Sequence, residues 1–284
     1  MAIPCVIMTE LAEELSLVTR GPVATLTINR PDRHNAFSLR MWSALPAVAG
    51  AVEADRGVRV LLIRGAGRGP FSAGADIAEF ATVRTGERAA AEYSATVHRA
   101  ERAIAGLSKP TIALVRGSCV GGGCELALAC DLRIADETAR FGITPAKLGV
   151  IYNQVSTARV VHTVGPAWAR YLLLTGELLD ADTALRIGLV HQVHPAESAA
   201  ESAMALAGTL ANRAPLSVAG AKQFIRRAVE GASATDGWAD RWYTASYRSA
   251  EYEEGIAAFL DKRPADFSGL PWPVVTEDGS LADL

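Results

Sequence analysis

Leu15, Leu17 and Thr19 fall on alternate positions, Arg20-Gly21-Pro22 interrupts, and alternation resumes from Val23 to Asn29 with Leu26 and Ile28 on one face. That period of two predicts a β-hairpin over residues 15–29. Arg30-Pro31-Asp32 stops it, and Ser38 is placed to cap a helix running to about Glu53. Val58 to Ile63 and Thr111 to Val115 are near-continuous aliphatic runs of strand length, the pattern of strands buried on both faces. A helical stretch at about 87–106 separates them. Gly121 to Ala129 predicts a helix opened by glycines, and Leu132 to Ala135 a short strand. Strands alternating with helices imply an α/β core with parallel pairing. From about residue 197 the pattern changes to helices at 197–212, 216–230 and 236–262 with no strand between them. The expected organisation is a core over 1–195, a helical region over 196–263 and a tail over 264–284.

Composition narrows the function classes. Half of the 284 residues are hydrophobic and 21% are charged, which excludes disorder, collagen-like repeats and coiled coil as global descriptions. Twenty-eight basic against thirty-one acidic residues leave −3, so no cationic footprint for nucleic acid or an anionic membrane surface is expected. The apolar runs are too short to span a bilayer. The start, through Cys5 and on to Glu13-Glu14, lacks the basic region of a signal peptide. Cys5, Cys119, Cys124 and Cys130 have neither metal-site spacing nor disulfide density, and five scattered histidines add no metal-ligand set. A compact cytoplasmic enzyme without a metal site is the expectation.

Two familiar motifs fail. Gly65-Ala66-Gly67 follows a strand, but Pro70 stands where a dinucleotide fingerprint needs its third glycine. Neither Ser72 nor Ser118 has the glycines of a nucleophile elbow. Two other segments carry chemistry. Phe71-Ser72-Ala73-Gly74-Ala75-Asp76-Ile77 lies just beyond a buried strand, where small residues expose backbone N–H groups. Gly117 to Glu125 joins a buried strand to a helix whose N-terminus presents unpaired donors and a positive dipole end. One N–H from each makes an oxyanion hole. Glu125, in the first turn of an apolar helix, is unfavourable there unless solvated, paired or used, and a proton-transfer or water-positioning role is the better reading. Asp131 reads as a structural cap, and Lys147, Arg159 and His162 as solvated or structural residues.

These segments, in this order, resemble the enoyl-CoA hydratase/isomerase (crotonase) superfamily over about residues 15–263. The similarity rests on Leu26-Thr27-Ile28-Asn29-Arg30-Pro31 with Asn35-Ala36, on Ser72 to Ile77, and on Lys109-Pro110-Thr111-Ile112-Ala113. It continues through Gly121 to Ala127, Cys130-Asp131, Leu174-Thr175-Gly176 and Ala184 with Gly188-Leu189-Val190. The resemblance implies a ββα-spiral core with a helical trimerisation region, assembled as a homotrimer or as a hexamer of two trimers. It implies an acyl-CoA thioester substrate and no cofactor, CoA being part of the substrate. Carried over by position, the N–H groups of Ala75 and Gly122 hold the thioester oxygen. Ala73, Asp76 and Ile77 lie along CoA, Arg33 and His34 line the entrance, and Phe259 and Lys262 reach a neighbouring subunit's CoA.

One departure matters. Hydratases of this family hold a water between two glutamates; Glu125 matches the first, and the stretch Phe141 to Gly149, where the second belongs, contains none. The segment Thr144-Pro145 with Leu148 to Asn153 instead resembles the methylmalonyl-CoA decarboxylase branch, in which Thr144 and Tyr152 stand near the reacting group. Ala75 is the hydratase-like residue, where that branch has histidine. A hydratase/isomerase-type lyase is therefore the leading expectation. A decarboxylase and a non-catalytic acyl-CoA-binding protein are the alternatives.

Overall fold

The computed structural model describes residues 13–233, 237–276 and 278–282. The readings on the first twelve residues, Cys5 included, lie outside them. Strands β1 (Leu15–Arg20) and β2 (Val23–Ile28) form the expected hairpin, with Leu17 opposite Leu26. Helix α1 (Leu39–Ala54) starts at Ser38, whose Oγ accepts from the Met41 N–H at 3.2 Å and satisfies a donor of the first turn. There follow β3 (Val60–Gly65), the short α2 (Phe80–Val83), α3 (Gly86–Ala105), β4 (Thr111–Val115), β5 (Ser118–Val120) and α4 (Gly122–Ala129). Next come β6 (Leu132–Asp136), β7 (Arg140–Gly142), α5 (Pro145–Leu148) and α6 (Gln154–Thr175), which breaks at Gly165. The chain continues through β8 (Leu179–Asp180), α7 (Ala181–Arg186), β9 (Gln192–His194) and α8 (Ala199–Ala211). It then runs through α9 (Pro215–Val229), α10 (Trp238–Tyr247) and α11 (Ala250–Leu260).

Six strands form one sheet in the order β1-β2-β3-β4-β6-β9, parallel except for the hairpin, and β5-β7-β8 form a second, smaller sheet. Successive side chains on β3 point to opposite faces. Leu61 and Ile63 join Leu26, Ile28, Ala113 and Val115 in a core that α1 and α3 cover. Val60 and Leu62 join Val23, Ile112, Leu114 and Ile134 on the other face, beneath α8. That helix lays Ala199, Ala203, Ala207 and Ala211, four apart, along the sheet. Helix α8 thus closes the core rather than standing with the helical region expected from residue 196.

The remaining helices enclose a smaller core of Leu216, Ala219, Trp238, Trp242, Ala245 and Trp272. The single helix expected over 236–262 is two, because Ser249 takes extended backbone angles and its Oγ caps α11 by accepting from the Tyr252 N–H at 3.1 Å. The stretch read as a tail is packed. Arg59 donates to the carbonyls of Phe267 and Leu270, both at 2.6 Å, and the Trp272 Nε1–H donates to Ser108 Oγ at 2.8 Å.

Candidate active site

The site lies where β3 and β4 end. Beyond β3 the chain returns as an extended segment locked to the β5 region. The Phe71 N–H donates to the Arg116 carbonyl, Ser72 N–H to Ser118, and Val120 N–H back to Ser72, at 2.8, 2.9 and 3.0 Å. On its other side the Phe37 N–H donates to the Gly74 carbonyl at 2.7 Å and Asp76 N–H to the Phe37 carbonyl at 2.9 Å. Backbone donors alternate in direction along an extended chain, so the Ala75 N–H between these two bonds points away from Phe37. Gly74, at φ 99°, allows the approach, since a Cβ there would stand 2.7 Å from the Val120 carbonyl oxygen.

Gly122 is the first residue of α4, and its N–H is one that no helix satisfies internally. Neither it nor the Ala75 N–H meets a protein acceptor among the described residues. Both residues line one cavity. A Cβ at Gly122 would stand 3.5 Å from the Ala75 nitrogen, 3.6 Å from Glu125 Oε2 and 2.9 Å from Trp42 Cζ2. Only glycine leaves that space open. It forms part of a cavity of about 150 Å³ lined by the loop, α4, the α3 face and the segment 144–153.

Glu125 projects into this cavity yet is 8% exposed. Burial, with the Glu101 carboxylate as a second cause, pushes its pKa from 4.5 up to about 8. Its neighbours form a chain of polar contacts. Asn153 Nδ2 donates to Glu125 Oε1 at 3.1 Å and to Ser156 Oγ at 2.8 Å. The Ser156 hydroxyl lies 2.9 Å from Glu101 Oε2, and Arg159 Nη1 is 2.5 Å from the same oxygen. Glu101 is fully buried, and burial raises its pKa against the pull of Arg159. The Tyr152 hydroxyl is buried near enough to Glu125 for each to shift the other's pKa, but makes no hydrogen bond of good geometry.

Of the residues singled out in the sequence, the cavity brings together Ala73, Ala75, Ile77, Gly122, Glu125, Thr144 and Tyr152. Asp76 turns away: Oδ2 pairs with Arg30 at 2.7 Å and Oδ1 caps the turn at Ala78. Arg33 and His34 lie on the exposed turn after β2, and Phe259 and Lys262 at the end of α11, none of them on the cavity wall. Asp131 is the structural residue expected, holding Thr111 N–H and Lys222 Nζ at 2.7 Å each. Arg159 takes the structural of its two expected roles, pairing with buried Glu101. Sequence reading missed Trp42, Tyr93, Glu101 and Asn153. Of these, Glu101 had a signal, a carboxylate at helical spacing from apolar Val97 and Ile104.

Two inward donors and a buried carboxyl group around one cavity can polarise an acyl carbonyl and move a proton beside it. Residues 19–270 match the enoyl-CoA hydratase/isomerase family. A crotonyl-CoA hydratase of Syntrophomonas wolfei is 35% identical, aligning 90% of this chain with 98% of the relative. A short-chain-enoyl-CoA hydratase of Clostridium acetobutylicum is 34% identical over 87% of this chain and 94% of its own. The crystal structure of an enoyl-CoA hydratase/carnithine racemase from Magnetospirillum magneticum superposes with a TM-score of 0.87 at 36% identity, covering 90% of this chain and 96% of that one. The chain belongs to the enoyl-CoA hydratase/isomerase family, with the crotonase fold and an enzyme function of enoyl-CoA hydratase type.

Proposed function

We propose that the protein adds water across the α,β double bond of a 2-enoyl-CoA, using Glu125 as its one proton-transfer group. The observation that carries this is that Ala75, Gly122 and Glu125 line one cavity, with the Ala75 nitrogen and Glu125 Oε2 both beside the space that a Cβ at Gly122 would fill. The thioester oxygen accepts from both N–H groups, which stabilises the enolate as charge develops. Ionised Glu125 takes a proton from water as the water oxygen bonds to Cβ. The resulting acid then gives that proton to Cα on the same face. One carboxyl group thus serves as base and acid in turn, and Asn153 holds its Oε1. In the stretch that lacks the second glutamate, Lys147 pairs outward with Glu177 at 3.3 Å. Every step uses protein groups and the thioester, so the reading calls for no metal or redox cofactor.

Decarboxylation of a malonyl-type thioester is the second reading, favoured by one observation: Thr144 and Tyr152 line the same cavity, and the Tyr152 hydroxyl has no hydrogen-bond partner. Purified protein incubated with crotonyl-CoA and with methylmalonyl-CoA, followed by mass spectrometry, separates the two. A gain of one water on crotonyl-CoA is expected. Loss of carbon dioxide from methylmalonyl-CoA with no hydration would replace the hydratase mechanism by the second reading.

The setting we propose is a cytoplasmic homotrimer, or a hexamer of two trimers. Exposed Tyr243, Tyr247, Ile256, Phe259 and Leu260 on α10 and α11 offer the apolar surface such assembly covers. Cys119, Cys124 and Cys130 are buried free thiols, which suits a reducing compartment. Among the described residues no helix is long and apolar enough to cross a membrane.

A further inference from the structure

The wall of the cavity that α3 supplies is not the hydrocarbon surface that a plain alkyl chain would favour. Helix α3 presents Tyr93, Ser94 and His98 there beside Val97, and Arg84, between α2 and α3, adds a guanidinium. Arg84 is half-buried, with its guanidinium carbon 4.3 Å from the centre of the Phe80 ring and 5.0 Å from that of Tyr93. Both rings fix its position. It has no carboxylate partner among the described residues. The Tyr93 side chain is 94% buried, being 6% exposed, and its hydroxyl has no hydrogen-bond partner. An ordered cation and an unpaired phenol on one wall of the cavity leave an unmet demand for an acceptor, preferably an anion.

Resting on the acyl-CoA reading above, we infer that the acyl group of the substrate carries a carboxylate remote from the thioester, and that Arg84, with the Tyr93 hydroxyl, receives it. The substrate class is then the CoA monothioester of a dicarboxylic acid rather than of a simple fatty acid. Glu125 and the two N–H donors hold the reacting end, and the α3 wall reads the far end. A guanidinium pinned over two aromatic rings loses little freedom on binding, which favours a carboxylate over a methyl group.

Binding of non-reacting thioesters tests this without relying on turnover. Dissociation constants of adipyl-CoA and hexanoyl-CoA, which share chain length and differ in the terminal carboxylate, are measured by calorimetry for the wild type, Arg84→Met and Arg84→Lys. The wild type is expected to bind adipyl-CoA at least tenfold tighter, about 1.4 kcal/mol. Arg84→Met should bring the ratio to one or below, and Arg84→Lys should restore part of it. The ratio is read within each protein, so a general loss of folding cannot mimic the effect. Equal binding of both thioesters by the wild type, or tighter hexanoyl-CoA binding, overturns the inference. So does an Arg84→Met variant that weakens both ligands equally, which would assign Arg84 to the CoA phosphates. Failure of the hydration assay leaves these binding ratios unaffected, so the two readings fail separately.

Discussion

At the scale of single residues the proposed mechanism turns on a carboxyl group kept where its charge is costly. Burial and Glu101 hold the Glu125 pKa near 8, so at neutral pH most of it is protonated. A base with that pKa is well matched to taking a proton from water near neutrality. In the proposed mechanism the ionised form starts the reaction, so kcat/KM for crotonyl-CoA should rise about tenfold per pH unit below 8 and level off above it. A profile flat from pH 6 to 9 would remove ionised Glu125 from the mechanism. Glu125→Gln should lower hydration by at least 10³-fold, since no second carboxylate lines the cavity among the described residues. Its effect on stability has the opposite sign. The unfolded chain gives up the Glu125 proton from about pH 4.5 while the folded chain keeps it to about 8, so the wild type loses stability across that window. Glu125→Gln escapes the loss. Its melting temperature should match the wild type at pH 4.5 and exceed it by several degrees at pH 8.5, a comparison that differential scanning fluorimetry makes directly.

At the scale of elements, helix ends do much of the positioning. Asn153 caps α6 through Oδ1, which accepts from the Ser156 N–H at 2.8 Å, and its Nδ2 holds Glu125, so one side chain fixes a helix start and the proposed proton-transfer group. Lys109 acts at the far end of α1. Its fully buried Nζ donates to the Val52 and Asp55 carbonyls, each at 2.6 Å, supplying charge and donors where the helix leaves carbonyls unpaired. Lys109→Met should cost about 2 kcal/mol by denaturant titration and leave KM unmoved. Burial lowers the Lys109 pKa from 10.5 to about 8. Between those values the folded state has shed a proton that the unfolded chain retains, so wild-type stability gains with rising pH and the Met variant's deficit should widen from pH 8 to 10. These elements also mark how much was legible beforehand. The hairpin, α1, β4 and α4 fall where the spacing of apolar residues predicts them, because each is long enough to show its period. Strand β3 sits two residues later than expected, because its ladder with β2 runs from Val60 opposite Val23 to Gly65 opposite Ile28, leaving Val58 before it. The strands β5, β7, β8 and β9, two or three residues each, show no period at all, and β7 and β9 are set by pairing with distant strands. In the site, the two glycine-bearing loops and Glu125 were legible because glycines and a lone carboxylate break an apolar pattern, and only the family resemblance singled out Ala75 and Gly122 within them. Trp42 and Tyr93 were not, because a buried aromatic on an amphipathic helix looks the same whether it packs or lines a cavity.

At the scale of the whole molecule, the two ends of the parallel strands divide the work. The carboxyl ends of β3 and β4 feed the loop and helix that build the site, in keeping with the general placement of ligands in parallel α/β sheets. Their amino ends carry fastening. Arg59, just before β3, reaches the carbonyls of Ala211, Phe267 and Leu270, and Ser108, before β4, accepts from Trp272. Trp272 is 4% exposed and also belongs to the helical core with Trp238 and Trp242, so one side chain joins that core to the amino edge of the sheet. Truncating it opens a cavity and leaves the Ser108 contact unmade. Trp272→Ala should therefore lower unfolding free energy by about 3–5 kcal/mol, read from denaturant titration. The site at the opposite end of the strands should keep its kcat per folded molecule at low temperature. The double variant with Glu125→Gln then gives the decisive comparison, because substitutions at separated sites combine additively in stability within about 0.5 kcal/mol. Additivity would show that fastening and catalysis are separable across the sheet. A kcat that falls with Trp272→Ala alone, at a temperature where the variant is fully folded, would show instead that the oxyanion geometry depends on tension carried through β3 and β4.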